Sequence, residues 1–296
     1  MIKQAIVDAV SVRFFMPSPA LAPYITTYYL VEVSLPDDLA VVEDWLHPEW
    51  GNLRITKGGN WQAAIGAGDL VDGPRVVASG PTSYCAHFTM RRGRFWGIGL
   101  LPAGWARFVN APADAHSDSF CDATADPAFS ALTGLADCVN DHTPDPAAEA
   151  ARFDAYLCDL LERRPQSAAE QRIQQAHALL VNHAVTSVGE MAEQLAMSPR
   201  SLERLSLRAF GFAPKLLLRR QRFLRSLAQF MLDPSLSWIR TLDWHYVDQA
   251  HFVRDFKRFM TMSPSAYAAL DHPVLRAAAQ ARAAAAGEAM QVLHRP

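Results

Sequence analysis

The feature that most constrains this chain is a run of short helical patterns over residues 186–270. Ser187 and Glu190 have the spacing of a capping box, which marks a helix start. An apolar stripe at positions i, i+3, i+4 and i+7 follows: Val188, Met191, Ala192 and Leu195. Ser198 and Pro199 then begin another helix, because serine caps helix N-termini and proline is tolerated in the first turn. The pattern predicts two short helices joined by a tight turn.

The second of these helices is predicted to be amphipathic. Its expected buried residues are Leu202, Leu205, Ala209 and Phe210. Its other face carries Arg200, Ser201, Arg204 and Arg208. A tight turn followed by an arginine-bearing helix is the arrangement that reads the major groove of DNA.

A second helix pair is predicted further along the chain. Pro214 begins a long helix that we expect to reach Met231, with four basic residues largely opposite its buried side: Lys215, Arg219, Arg222 and Arg225. A short helix and turn are expected over residues 236–246. The helix that then begins at Asp248 has a core stripe of three aromatic residues, Phe252, Phe256 and Phe259. Its polar face carries Gln249, Ala250, Arg254 and Lys257.

These residues resemble the DNA-binding domain of AraC/XylS-type transcription regulators. The resemblance rests on the paired units, the Ser-Pro-Arg-Ser-Leu start at Ser198, the run from Asp248 to Phe259, and Ser263-Pro264. The sequence departs from the family at both turns, where glycine is usual and this chain has Ala196 and His245. The helix before the second turn is also one residue short, with tryptophans in place of small or aliphatic residues: Trp238 and Trp244.

The resemblance implies double-stranded DNA as the partner, read in two major-groove segments about 34 Å apart. The residues expected to contact base edges are Arg200, Ser201 and Arg204 in the first unit and Gln249, Ala250 and Arg254 in the second. The residues expected to contact phosphates are Arg208, Arg222 and Lys257. RNA polymerase is a further partner that the resemblance implies, and a homodimer is compatible with it.

The charge distribution agrees with a DNA-binding C-terminal half. Residues 1–165 contain 12 Lys and Arg against 20 Asp and Glu, whereas residues 166–270 contain 13 against 8. A basic segment neutralises phosphates, and an acidic partner domain discourages other adhesion to nucleic acid. Solvated basic helix faces are the alternative interpretation of the same charges.

The first part of the chain is predicted to be β-rich, which makes the expected fold class α+β. Strands are expected over Ile25–Ser34, Leu53–Thr56, Trp61–Ile65, Arg75–Ser79, Tyr84–Met90 and Arg94–Leu101. Many short strands at close spacing favour a roll or a barrel. The Gly80-Pro81 turn and the strand end at residues 101–105 resemble cupin-like N-terminal domains of some AraC-type regulators.

Four segments are predicted: a β-rich sensing domain over 1–125, connecting helices and a linker over 126–166, the AraC-type domain over 167–271, and an alanine-rich tail over 272–296. Connecting helices are expected at Ala128–Val139 and Ala147–Arg163. The second carries an apolar stripe that serves either packing within the chain or a dimer interface: Phe153, Tyr156, Leu157, Leu160 and Leu161. The tail has few apolar anchors and is expected to fray.

The remaining composition favours a cytoplasmic protein, and the family resemblance implies a bacterial-type regulator. Half of the residues are apolar and a fifth are charged, which is ordinary for a globular chain. No apolar run approaches the ~18 residues of a membrane span, and no cleavage site for a signal peptide is evident near the N-terminus. The four cysteines are too scattered for a zinc motif or a disulfide framework: Cys85, Cys121, Cys138 and Cys158.

Aromatic residues of the first half are candidates for a small-molecule effector pocket: Tyr29, Trp50, Trp61 and Trp96. The same side chains are equally suited to fill the interior of a small barrel. The family resemblance is what favours a pocket.

An enzyme is not expected. Phosphate-binding glycine loops, nucleophile elbows and Cys-His arrangements of recognisable spacing are missing from the sequence. The nearest group of metal-ligand residue types is a local acidic run, Asp114, His116, Asp118 and Cys121, and neither a metal nor a cofactor is expected from it. His47 and Glu49 fit a polar loop better than an acid/base pair. The alternatives to a regulator are a protein-interaction adaptor that kept the fold and, less favoured, a cupin-type metal enzyme.

Overall fold

The computed structural model describes residues 9–36, 41–139, 144–163, 165–233, 243, 246, 248–287 and 290–294. Within them an N-terminal antiparallel β domain is followed by a C-terminal helical domain, so the predicted α+β class is confirmed. The predicted short helix and turn over residues 236–246 lie outside the described residues except at Asp243 and Tyr246. The described part of the chain contains no helix long and apolar enough to cross a membrane.

The N-terminal domain is a roll of two antiparallel sheets. The strands are β1 Val10–Phe15, β2 Ile25–Val33, β3 Val42–Leu46, β4 Asn52–Lys57, β5 Trp61–Ile65, β6 Val71–Asp72, β7 Val76–Ser79, β8 Ala86–Met90, β9 Gly93–Leu100 and β10 Phe120–Asp122. One sheet has the order β1-β2-β9-β4-β7-β10 and the other the order β3-β8-β5-β6. Side chains of both sheets line a shared interior. The predicted roll is therefore present.

The helices of the described residues are α1 Pro102–Phe108, α2 Pro146–Glu162, α3 Ala168–Val181, α4 Val188–Gln194, α5 Pro199–Phe210, α6 Pro214–Leu232, α7 Gln249–Met260, α8 Pro264–Ala268 and α9 Pro273–Ala286. Six of these begin with proline at the first turn, where its missing N–H costs nothing. Serine or aspartate side chains cap α2 to α5, α7 and α8.

The connecting region differs from the prediction at its first helix. The stretch expected to be helical over 128–139 forms two 3-10 helices instead, Pro127–Phe129 and Thr133–Cys138. They are short because each is fixed by burial of one side chain, Phe129 and Leu135 respectively, rather than by a continuous stripe. The apolar stripe of α2 is used within the chain, since Phe153 and Leu157 are fully buried.

The expectation of a frayed tail is wrong. Helix α9 packs against β1, β3 and α6. Its N-terminus is held by the buried carboxylate of Asp44, which accepts hydrogen bonds from the backbone N–H groups of Val274 and Leu275 at 3.0 and 2.9 Å. Asp44 also lies 2.8 Å from Nδ1 of His272. The tail anchors to a buried polar group of the roll, which hydrophobicity alone does not reveal.

Candidate nucleic-acid interface

The first helix pair, α4 and α5, has the predicted caps. The hydroxyl of Ser187 accepts a hydrogen bond from the Glu190 backbone N–H, and the Glu190 carboxylate accepts one from the Ser187 backbone N–H, which completes the capping box. Hydrogen bonds to the Glu190 carboxylate from the backbone N–H groups of Thr186 and then Ser187 lower the pKa of Glu190. The turn passes through Ala196 at φ 51°, the left-handed region that usually needs glycine. The unit therefore has the expected shape with a strained residue in its turn.

Helix α5 presents its predicted residues on an accessible face. Arg200, Arg204 and Arg208 are exposed, and Ser201 is half-buried. The Ser201 backbone N–H donates to the Ser198 hydroxyl at 3.2 Å. The opposite face buries Leu202, Ser206, Ala209 and Phe210. Leu205, predicted to be buried, is only partly covered.

Part of the exposed face of α5 borders a cleft beside the N-terminal domain. Ser201, Arg204 and Arg208 line one wall of this cleft of about 710 Å³, and its other lining residues include residues 106–112 and, at the start of α3, Ser167, Ala169, Glu170 and Ile173. Helix α1 and the 3-10 helix Ala113–His116 pack directly against α5. A recognition helix enters the major groove with the backbones of both DNA strands beside it.

The second recognition helix, α7, has an unobstructed polar face. Gln249, Ala250, Arg254 and Lys257 are all exposed. The N-cap residue Asp248 accepts a hydrogen bond from the His251 backbone N–H at 2.6 Å. The other face is aromatic, with Phe252, Phe256 and Phe259 fully buried against Phe223 of α6. The predicted core stripe of this helix is therefore present.

Helices α6 and α7 are joined by an ionic network around Asp255. Its buried carboxylate accepts hydrogen bonds from Nε of Arg219 at 2.5 Å and from the hydroxyl of Tyr246 at 2.9 Å, and a nitrogen of Arg222 lies 3.6 Å away. Burial, and then the nearby Asp255 charge, raise the pKa of Tyr246. Arg222, predicted as a phosphate contact, thus also holds the two helices together. Asp255 was not predicted from the sequence, because a single aspartate between Arg254 and Phe256 forms no recognisable pattern.

A basic groove runs beside this network. It measures about 540 Å³ and is lined by the start of α4 and by α6 residues that include Lys215, Arg219, Arg222 and Arg225. Arg225 is itself paired, with Nε 2.5 Å from a carboxylate oxygen of Asp243. The groove therefore combines positive charge with internal ion pairs.

The two domains meet at Arg220 of α6, a residue that the sequence analysis did not single out. Its guanidinium is fully buried, donates a hydrogen bond to the Thr82 carbonyl at 2.7 Å, and lies over the Trp50 ring. In the described parts of the chain, its Nε and one terminal nitrogen have no hydrogen-bond partner. Burial lowers the pKa of Arg220 to about 9, with Asp118 acting in the opposite direction. Two neighbouring arginines in the sequence, at 219 and 220, give no sign that only the second is buried.

Further hydrogen bonds cross the same boundary. The Ser117 hydroxyl donates to the Gly211 carbonyl at the end of α5, at 2.9 Å. The Cys85 backbone N–H donates to the Phe259 carbonyl at 2.7 Å. Arg258 donates to the Tyr84 hydroxyl. Both helix-turn-helix units are thus in contact with the roll.

Three of the four aromatic residues predicted to line a pocket do so. Tyr29, Trp61 and Trp96 line a cavity of about 100 Å³ inside the roll, together with Arg54 and Glu49. Arg54 donates hydrogen bonds to the Tyr29 hydroxyl, the Ser79 hydroxyl and the Glu49 carboxylate. Burial disfavours the charged guanidinium of Arg54, but Glu49 and Tyr29 stabilise it more strongly. The net effect is a raised pKa of Arg54.

Trp50 does not line this cavity. It is buried beneath Arg220 at the domain boundary, with its ring against Phe210 and His177. A tryptophan between two strands is compatible with either location in the sequence, which is why the prediction placed it in the pocket.

The comparisons with known proteins agree with this geometry in the helical half. Residues 191–269 match the family model described as "Helix-turn-helix domain", which is of AraC type. No curated protein matches the chain at a significant level.

Among solved structures, ToxT from Vibrio cholerae is similar at 11% identity over 77% of this chain and 96% of ToxT, with a TM-score of 0.42. A structure of ToxT bound to an unsaturated fatty acid is similar at 11% identity over 79% and 96%, with a TM-score of 0.40. The AraC-like transcriptional activator CuxR is similar at 15% identity over 77% and 90%, with a TM-score of 0.23. The domain assignment rests on the family match. The chain carries the DNA-binding domain of a transcription regulator.

Proposed function

We propose that this protein reads two adjacent major-groove segments with α5 and α7 and regulates transcription at such sites. The observation that carries the proposal is the exposed face of α7, where Gln249, Ala250, Arg254 and Lys257 project from a helix fixed on an aromatic core. Glutamine suits adenine and arginine suits guanine at base edges. Arg200, Ser201 and Arg204 are the matching proposal for α5, with Arg208, Arg222 and Lys257 as phosphate contacts.

We further propose that the described arrangement is a closed form with low affinity for DNA. Three of the residues proposed for DNA contact, Ser201, Arg204 and Arg208, face the roll across a cleft. Full entry of α5 into a groove then requires the helical domain to move away from the roll.

A small apolar effector inside the roll is a separate proposal. The cavity of about 100 Å³ is smaller than the ~150 Å³ engineered cavity that holds benzene, so only a compact molecule fits without rearrangement. Thermal-shift screening of small aromatic and aliphatic compounds tests this. If no compound raises the unfolding midpoint while DNA binding is intact, the effector proposal is abandoned.

RNA polymerase and a second copy of the chain are proposed as partners, in accord with the family resemblance. The apolar stripe of α2 exposes little surface for a dimer interface, because Phe153 and Leu157 are buried within the chain. Sedimentation at several protein concentrations tests the dimer directly.

The experiment that tests the function is selection of bound fragments from a random DNA pool by the full-length protein at physiological salt. Two boxes about one helical turn, or ~34 Å, apart are expected. Recovery of a single short box would show that one unit does not read sequence. No enrichment, together with affinity for DNA that does not fall with salt, would overturn the proposal and favour an interaction adaptor.

A further inference from the structure

Three residues of metal-ligand type converge beside the domain boundary. They are His116 at the end of its 3-10 helix, Cys121 in β10, and Asp126 at the N-cap of the next 3-10 helix. Nε2 of His116 lies 3.0 Å from Oδ2 of Asp126, and Sγ of Cys121 lies 3.8 Å from the same oxygen. All three donor atoms lie within 4.8 Å of one another.

These separations suit a tetrahedral metal centre. Zinc binds histidine nitrogen, carboxylate oxygen and thiolate sulfur at about 2.0–2.3 Å, so neighbouring donors in a tetrahedral site are about 3.3–3.7 Å apart. The distances of 3.0 and 3.8 Å lie on either side of that range, and the remaining separation, from Nε2 of His116 to Sγ of Cys121, is within 4.8 Å. Three protein ligands leave a fourth position for water, and all three side chains are partly accessible to solvent.

The surroundings hold two of the ligands in place. Oδ1 of Asp126 accepts a hydrogen bond from the Ala128 backbone N–H at 2.9 Å, which leaves Oδ2 to face His116 and Cys121. The His116 ring packs against Phe129 and Trp105, with ring centroids 5.2 and 5.8 Å away. This packing and the contact of Nε2 with Asp126 orient the ring, since Nδ1 of His116 is buried without a partner in the described residues. A carboxylate or carbonyl on the second histidine nitrogen typically strengthens a site ten- to a hundredfold, so moderate affinity is expected here.

We propose that His116, Cys121 and Asp126 form a binding site for a divalent transition metal, with zinc as the best match. Nitrogen, sulfur and oxygen donors together favour Zn²⁺ over Mg²⁺ or Ca²⁺, which prefer all-oxygen sites. On binding, the Cys121 thiol loses its proton to solvent and the metal forms bonds to Sγ, Nε2 and Oδ2. Bound metal would cross-link the segment 116–126, which includes Ser117, the residue hydrogen-bonded to the end of α5.

No metal was expected from the nearest run of such residue types in the sequence, Asp114, His116, Asp118 and Cys121. In the structure Asp118 accepts hydrogen bonds from the Ser83 backbone N–H and hydroxyl. Asp126, which lies outside that run, is the carboxylate beside His116.

Titration of the full chain with Co²⁺, followed by displacement with Zn²⁺, tests the proposal without DNA. We expect one equivalent of Co²⁺ to produce visible tetrahedral bands and a thiolate charge-transfer band, and Zn²⁺ to remove both. Cys121→Ser should lose the charge-transfer band. Cys138→Ser, at another partly buried cysteine of the same domain, should keep it.

A second variant separates loss of a ligand from loss of the fold. Asp126→Asn keeps an oxygen for the Ala128 N–H and is expected to weaken Co²⁺ binding at least tenfold with an unchanged circular dichroism spectrum. An unchanged charge-transfer band in Cys121→Ser, or no saturation at one equivalent in the wild-type chain, would overturn the proposal. Because absorbance is read with no DNA present, the outcome is independent of the proposed function.

Discussion

The guanidinium carbon of Arg220 lies 4.1 Å from the centroid of the Trp50 ring, and both side chains are buried at the boundary between the two domains. Phe212 lies on the same guanidinium, with its ring centroid 5.8 Å away. A planar, weakly hydrated cation tolerates such a site better than an ammonium does. The packing of the two domains therefore depends on the shape of arginine as well as on its charge.

Replacing Arg220 with lysine is expected to lower the free energy of unfolding by about 2 kcal/mol, because stacking on Trp50 is lost and a more strongly hydrated group stays buried. Urea unfolding followed by tryptophan fluorescence measures this. Arg219→Lys is the matched control, since Arg219 is 39% exposed and a lysine keeps its attraction to Asp255. Its expected loss is below about 1 kcal/mol. Equal losses in both variants would contradict the importance of the stack.

Ser117→Ala is expected to raise the affinity for DNA. The variant removes the hydrogen bond to the Gly211 carbonyl, which is worth about 0.5–1.5 kcal/mol in the closed form. If closure competes with DNA, affinity on a selected site rises about two- to tenfold, as read by fluorescence anisotropy. Ser119→Ala is the control, because its hydroxyl donates to His116 within the roll. An unchanged or lower affinity in Ser117→Ala would argue that the contact does not restrain DNA binding.

Stability is expected to fall with acidification partly through His177. Burial, and then the nearby His294 and Arg220, lower the pKa of His177 to about 3. The unfolded chain, with a pKa of about 6.5, therefore binds more protons below that pH, and stability is lost as the pH falls from about 6.5 toward 3. At pH 5 this loss is about 2 kcal/mol.

Urea unfolding at pH 7.5 and pH 5 measures the difference. His177→Gln should reduce the pH-dependent loss by about 2 kcal/mol, whatever its effect at neutral pH. His183→Gln is the control at an exposed histidine on the segment after α3. A wild-type pH dependence retained in His177→Gln would show that the group does not titrate as its burial requires.

The turn of the first unit is expected to be stabilised by glycine. Ala196 has φ 51°, and an L-residue pays about 1 kcal/mol or more for the left-handed conformation. Ala196→Gly should therefore raise the free energy of unfolding by about 1 kcal/mol. Ala178→Gly, at an exposed position inside α3, should lower it by about 0.5–1 kcal/mol. A loss in both variants would mean that the turn is not strained.

Arg254 and Lys257 on α7 are expected to respond differently to mutation. Arg254→Ala should cost about 1–3 kcal/mol on the selected site and relax the base preference at one position. Lys257→Ala should weaken binding about equally on selected and scrambled DNA and reduce the salt dependence by about one charge. Anisotropy titrations on both DNAs over a range of salt distinguish them. Equal losses for Arg254→Ala on both DNAs would make it a phosphate contact.

Local patterns in the sequence were sufficient for several elements. Strand β5 has the predicted bounds, Trp61–Ile65, because its apolar residues and the flanking glycines are all close in sequence. The caps of α4 and α5 and the aromatic stripe of α7 are likewise local features. Strands β1, β3, β6 and β10 were not predicted, and of these β3 and β10 are short and pair with strands distant in the sequence.

Relationships between the domains had no local signal. Trp50 meets Arg220 across 170 residues of sequence, and Asp44 meets the start of α9 across more than 220. The position of a buried polar group depends on the partner that satisfies its hydrogen bonds, and a pattern of apolar positions does not identify that partner.

Because α9 docks on the roll, the helical domain is connected to the roll at both of its ends. The chain leaves the roll at the linker before α3 and returns to it at His272, which is buried beside Asp44. Any separation of α5 from the roll must then pivot about these two points or detach α9. Connections at both ends keep the two surfaces at a high effective concentration, which favours reclosure over separation. If DNA binding requires the separation proposed above, its extent depends on how firmly α9 is anchored to the roll.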